Sequence, residues 1–146
     1  MNQHDDITIM KWTIALEAQD QPFLGKLAVA WVIKNRAVKR RQSIAEVCFQ
    51  RWQFSCWTPE NGLADEIRRI QVTPDDVMLQ CEAAATAVLE GRYITDPVFS
   101  DPTNGADHYL NIELTKKQRG DGTLPGWVSK LIHTAKIGDH DFYKEP

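Results

Sequence analysis

The feature that most limits what this chain can fold into is the segment ITIMKWTIAL, from Ile7 to Leu16. Placed on a helix, its apolar residues cover most of the circumference, which suits a helix sunk in a core better than one laid on a surface. Glu17 arrives directly behind it, so a carboxylate is expected at the end of a nearly all-apolar helix. At 146 residues the chain can bury such a core within one domain without help from metals or several disulfides. No internal repeat, low-complexity segment or linker divides it, so residues 1–146 are expected to form a single domain.

Further elements follow from local signals. Pro22, with its fixed φ, suits the first turn of a second helix through LGKLAVAWVIKNR, with Leu24, Leu27, Ala28 and Trp31 on one face. Ser43 with Glu46 reads as a capping box that starts a short helix burying Ile44, Val47 and Cys48. RWQFSCWTPENG, Arg51 to Gly62, breaks periodicity and reads as an aromatic loop. Thr73, Pro74, Asp75 and Asp76 start another helix, whose apolar face of Val77, Cys81, Ala84, Ala85 and Val88 runs until Gly91 ends it. Prolines, glycine and asparagine deny regular structure between Ile94 and Asp107. HTAKIGDHDFY reads as two short strands joined at Gly138 and Asp139. The expected class is α+β, mainly helical, with a small C-terminal β-hairpin.

Composition excludes several functions. The net charge of -3, from 17 basic and 20 acidic residues, provides no positive field to draw the protein onto nucleic acid or an anionic membrane. No apolar run approaches a membrane span, and Met1 to Asp6 lack the basic start and apolar stretch of a secretory signal. Synthesis in the cytoplasm without a signal peptide is therefore expected. His4, His108, His133 and His140 have no ligand-like spacing, and no metal or cofactor is expected. Cys48 and Cys56 flank a short loop and could be bridged in an oxidising compartment, while Cys81 reads as a buried hydrophobe. Neither Cys56 nor Ser55 sits in a nucleophile's setting, and the basic run from Lys34 to Arg41 reads as a solvated helix face.

What remains points to sugar chemistry. Desolvation disfavours the charged form of a carboxyl group, so an acid placed like Glu17 can hold a proton at neutral pH for a glycosidic oxygen. A solvated residue at a helix end is the plain alternative. Trp52, Phe54 and Trp57, beside Gln53 and Ser55, offer flat apolar faces with hydrogen-bonding groups, the mixture that sugar rings need, or else seal the core. Tyr109 and Asn111 could position a sugar acetamido group or belong to an edge strand. Candidates for a second carboxylate, Asp101, Asp107 and Glu60, all sit among turn residues, where acidic side chains usually cap the backbone.

Taken in order, LEAQDQPFLGKLAVAWVIKNR, SIAEVCFQRWQFSCW, DPTNGADHYLN, PGW and IGDHDFY resemble the SleB/CwlJ-type cell-wall hydrolase family, known from spore-cortex lysis and also found among phage lysis proteins. The resemblance spans nearly the whole chain. It implies a lysozyme and lytic-transglycosylase-like fold with Glu17 as the catalytic acid. It further implies that Gln53, Phe54 and Ser55 line the cleft, joined by Trp57 from the same loop, that Tyr109 and Asn111 lie near the acid, and that His140 supports them. The sequence departs from the family at Leu16, where glycine is usual, and around Gln19 to Gln21, where a second glutamate is usual. The implied activity is cleavage of the β-1,4 bond between N-acetylmuramic acid and N-acetylglucosamine. A lytic transglycosylase needs only one acid, whereas a muramidase or a non-catalytic peptidoglycan-binding module are the alternatives. The expected partner is the glycan strand, met by a monomer without nucleic acid or membrane insertion, and reached, for a phage endolysin, after holin-type release to the periplasm. An RNA-binding domain is disfavoured by the acidic total.

Overall fold

The computed structural model describes residues 3–49, 68–91 and 100–146. Helix α1 spans Gln3–Ala18, beginning ahead of the apolar segment with Asp5 and Asp6 in its first turn, where negative charge meets the positive end of the helix dipole. Ile9, Met10, Ile14, Ala15, Leu16 and Ala18 are buried. Thr13 is buried too, its hydroxyl satisfied by the carbonyl of Ile9 at 2.8 Å. The helix is not enclosed all round, since Trp12 remains 38% exposed.

Helix α2 spans Phe23–Arg40 behind Pro22. It ends without a glycine: Arg41 takes the left-handed conformation at φ 54, and the amides of Arg41 and Gln42 reach back to Val38 and Ala37. Burial is continuous from Gly25 to Ile33. The cause is that α2 lies between two cores. Leu27, Val29, Ala30, Trp31 and Ile33 join the helical core, while Ala28 and Val32 meet the sheet. Leu24, expected on the buried face, is instead 45% exposed, and Phe23 packs against the core in its place.

Helix α3, Ile44–Phe49, forms through the expected capping box: the Glu46 amide donates to Ser43 Oγ at 3.0 Å and the Ser43 amide to Glu46 Oε1 at 3.2 Å. Its buried side is Ile44, Val47 and Cys48. Helix α4, Asp75–Glu90, buries Cys81, Ala84, Ala85, Ala87 and Val88 and stops at Gly91, φ 67. The Thr73 hydroxyl does not cap it but turns back to the carbonyl of Arg69 at 2.8 Å. Helices α1, α2 and α4 pack mutually, with α3 against the first two.

The expected hairpin is present as β2, Ile132–Ile137, and β3, His140–Lys144. A further strand, β1, His108–Leu110, pairs with the other edge of β3, giving an antiparallel sheet of order β1-β3-β2. Tyr109 lies opposite Phe142, and Ile137 opposite His140 across the turn. Fully buried Phe142 packs with Ala28, Val32, Ala106 and Ile137, and this contact docks the sheet on α2. Among the described residues, α5, Ile112–Arg119, a 3₁₀ turn, Gly126–Ser129, and a helical stretch at 68–71 were not expected.

Candidate active site

Glu17 lies in the last turn of α1 and is half-buried. A helix end leaves carbonyls without partners and carries partial negative charge. No basic residue of α1 itself answers this. The partners come from elsewhere. Arg69 Nη2 donates to the carbonyl of Leu16 at 3.0 Å, and the Gln21 amide to that of Ala18 at 3.0 Å. Lys26 Nζ, on a side chain only 1% exposed, donates to the carbonyl of Gln19 at 3.2 Å and to that of Gln21. The backbone on both sides of Glu17 is thus held by cations from other elements.

Behind this turn lies a buried group of mixed polarity. Burial pushes the Cys48 thiol up to about 12, a hydrogen bond with Thr13 and the nearby Arg36 cation pull it down, and the Asp6 and Glu17 carboxylates push it further up. Cys48 is a free thiol, and at that value it is no nucleophile; Cys56, the other half of the possible bridge, lies outside the described residues. Arg36 is buried beside it, with Nε and Nη2 donating to the carbonyl of Asp107 at 2.9 and 2.6 Å. Burial and Arg40 lower its guanidinium to about 10 against the opposing pull of Tyr109, Asp107 and Cys48. Charge interactions thus reach Cys48 from Glu17 and Arg36 from Tyr109, and Arg36 and Cys48 act on each other. The basic run is accordingly more than a solvated face, because Arg36 from its middle is a buried anchor.

Tyr109, half-buried on β1, packs against both cores. Its ring meets His140 edge-on at 4.9 Å and Phe142 at 5.8 Å. His140 is buried with Nδ1 unpaired, and burial lowers its pKa against the opposing charges of Asp139, Asp20 and Asp141. It packs edge-on against Tyr109, and the lowered pKa favours its neutral form. Asn111 caps α5, its side-chain oxygen accepting from the Leu114 amide at 2.9 Å. It also lines a groove of about 490 Å³ with Ile112, Glu113, Gly138 and Asp139 among others. Gln53, Phe54, Ser55 and Trp57, like Trp52, Cys56 and Glu60, lie outside the described residues.

The remaining carboxylate candidates are committed elsewhere. Asp101 accepts from the Thr103 amide and hydroxyl at 2.8 and 2.6 Å and from the Gly105 amide and Asn35 Nδ2, both at 3.0 Å, the backbone-capping role expected of it. Asp107 is buried and accepts from Lys39 at 3.0 Å and the Glu145 amide at 3.2 Å, with His108 Nδ1 at 2.8 Å. Asp107, His108 and Glu145 bring possible metal-ligand atoms within 4.8 Å of one another. Lys39, bonded to both carboxylates at 3.0 Å, already supplies the positive charge this cluster calls for.

Sequence reading did not single out Lys26, Arg36, Gln21 or Arg69. The signal for Lys26 was present but ambiguous, a cation inside an otherwise apolar helical stretch where burial demands a partner, whereas Arg36 is hidden within the basic run from Lys34 to Arg41.

A mainly helical body, a small antiparallel sheet and a half-buried acid at the helix end between them define a lysozyme-like domain. Residues 20–143 match the model of the Cell Wall Hydrolase family, and the chain belongs to that family. The spore cortex-lytic enzyme of Halalkalibacterium halodurans is 29% identical over 140 residues, covering 94% of this chain. The chain spans 34% of that relative's length. Among solved structures, the catalytic domain of the germination-specific lytic transglycosylase SleB from Bacillus anthracis is similar at a TM-score of 0.67 and 26% identity, covering 95% of this chain and 93% of that one. The catalytic domain of the Bacillus cereus SleB protein is similar at 0.66 and 26%, covering 97% and 91%. Among the described residues, no helix is long and apolar enough to cross a membrane.

Proposed function

We propose that the protein cleaves the β-1,4 bond between N-acetylmuramic acid and N-acetylglucosamine in peptidoglycan as a lytic transglycosylase, with Glu17 as its acid and base. The observation that carries the choice of mechanism is the fate of the carboxylates. Two-carboxylate hydrolysis requires a second group free to act as nucleophile or base across the scissile bond. Of the described candidates, Asp101 is taken up by the Thr103 amide and hydroxyl, the Gly105 amide and the Asn35 side chain, and Asp107 by Lys39 and the Glu145 amide, while Glu60 lies outside the described residues. One glutamate suffices for transglycosylation. It protonates the leaving oxygen, then as carboxylate removes the proton from the muramic acid 6-hydroxyl, whose oxygen closes on C1 to give a 1,6-anhydro end. Tyr109, packed against His140 and Phe142, and the Nδ2 of Asn111 are the groups assigned to the sugar, with Gln53, Phe54, Ser55 and Trp57 assigned to lining the cleft.

Digestion of purified sacculi followed by product masses tests the assignment. Anhydro ends are expected, and products heavier by one water would make the enzyme a muramidase. Glu17→Gln is expected to fold as wild type and to lose about a hundredfold to ten-thousandfold or more in lytic rate, the range supplied by a placed proton donor. Retained activity in that variant removes Glu17 from the mechanism.

A further inference from the structure

The turn that follows Glu17 is tied to the hairpin by a bond pair running in both directions. Gln21 Nε2 donates to Asp139 Oδ2 at 3.0 Å, and the backbone amide of Asp139 donates to Gln21 Oε1 at 3.1 Å. These residues stand far apart in sequence, in the α1–α2 turn and the β2–β3 turn. The surroundings are shaped to the Gln21 side chain. A Cβ on Gly25 would lie 2.9 Å from Gln21 Cβ, and one on Gly138 would overlap Gln21 Oε1. Gly138 is also left-handed at φ 57, so two independent constraints keep it a glycine. Gln21 is only 6% exposed, and its own backbone is engaged by Ala18 on one side and Lys26 on the other.

We propose that this amide–carboxylate lock between Gln21 and Asp139 holds the last turn of α1, and with it Glu17, in register with the sheet that carries Tyr109, making Gln21 a positioning residue for cleavage. The inference rests on the function proposed above. Its chemistry is specific. An amide both donates and accepts, and the lock uses both capacities at once. A glutamate in the same place could only accept, and its buried carboxylate would face that of Asp139, which is exposed, with exposed Asp20 next to it. Reversing the polarity removes the conflict. With glutamate at 21 and asparagine at 139, the carboxylate would accept from both the side-chain amide and the backbone amide of residue 139.

The test is a double-mutant cycle on the full chain, measuring turnover of soluble peptidoglycan fragments and thermal midpoints for wild type, Gln21→Glu, Asp139→Asn and the pair together. Gln21→Glu is expected to lose about tenfold or more in kcat, Asp139→Asn about threefold or less because its oxygen still accepts from Gln21, and the pair to return within about threefold of wild type. KM should move little in all of them, which separates misplacement of the acid from loss of binding. Equal kcat in wild type and Gln21→Glu, or a double variant no better than Gln21→Glu, overturns the lock. If Gln21→Glu alone does not fold, the double variant still decides, since the lock requires it to fold and turn over. Folded wild type that never cleaves overturns the cleavage reading, and this inference with it; cleavage without rescue overturns only the inference.

Discussion

The two sides of α2 are held together by different physics. On one side, α1, α3 and α4 close over Met10, Ile14, Leu27, Val29, Ile33, Val47 and Val88, all fully buried and all apolar. On the other, the sheet contributes a small apolar contact around Phe142, and much of its attachment runs through Asp107. That carboxylate takes Lys39 from α2 and the Glu145 amide, its carbonyl takes Arg36 from α2, and its amide bonds the Tyr143 carbonyl at 3.0 Å. Apolar burial is non-directional and sets shape, whereas charged hydrogen bonds are directional and set register. The side that carries Tyr109 and Asn111 is thus fixed by bonds that pH and substitution can address one at a time, without reshaping the helical body that carries Glu17.

The difference is sharpest for Ile14→Ala. Ile14 is fully buried in the helical core one turn before Glu17, so its truncation is expected to cost about 2–5 kcal/mol through lost transfer and a residual cavity. No titratable group is involved. Denaturant unfolding should therefore give the same loss at neutral and acid pH, and a pH-dependent loss would break the contrast between the two sides.

Asp107→Asn addresses the other side. Its side chain is 4% exposed, but Lys39 is 43% exposed, so we expect the lower part of the range for a hydrogen bond to a charged group, about 1.5–3 kcal/mol. Burial pushes the Asp107 carboxyl up, and the bonds from His108, Lys39 and the Glu145 amide outweigh it, leaving the pKa below its usual 3.8. A carboxyl depressed on folding contributes stability that is fully present above the unfolded value and is lost as pH falls through the folded one. The gap between wild type and variant should accordingly be flat above pH 3.8 and close below it. A gap that persists undiminished in acid would mean that Asp107 acts by packing and not by charge.

The same contrast governs what could be read from the sequence. The helical body was legible because its rules are local: Ile7–Leu16 shows its burial by being apolar around most of its circumference, Ser43 and Glu46 spell out a cap, and Gly91 marks a stop. Leu24 misled because periodicity assigns a face but not the angle at which that face meets its neighbours. The sheet side was legible at the hairpin and, as one of two readings, in an edge strand at Tyr109. Strand β1 has three residues and a partner from the far end of the chain, which no local pattern encodes. Helix α5 buries no residue, so it has no apolar stripe to betray it. Its one local signal was Asn111 itself, an N-cap residue read as a sugar contact. Glu17 became a candidate because an acid behind an apolar helix is anomalous within its own segment, and the family resemblance assigned it the acid's role. The partners of Arg36 and Lys26 could not be read, because the carbonyls they serve belong to other turns.

The smallest expected effect tests the contrast from within the helical body. Ser43 and Glu46 form a directional polar device there, but an exposed one, and each of its bonds satisfies an amide that water could otherwise serve. Ser43→Ala is expected to cost about 1 kcal/mol, the usual value for an N-cap, because the buried face of Ile44, Val47 and Cys48 continues to hold α3 in place. Directional bonds should matter less where apolar burial already fixes an element than where, as at Asp107, they set the register themselves. Urea unfolding of both variants under one condition makes the comparison direct. If Ser43→Ala proved more damaging than Asp107→Asn, α3 would depend on its cap more than on its core, and the division between the two sides of α2 would not stand.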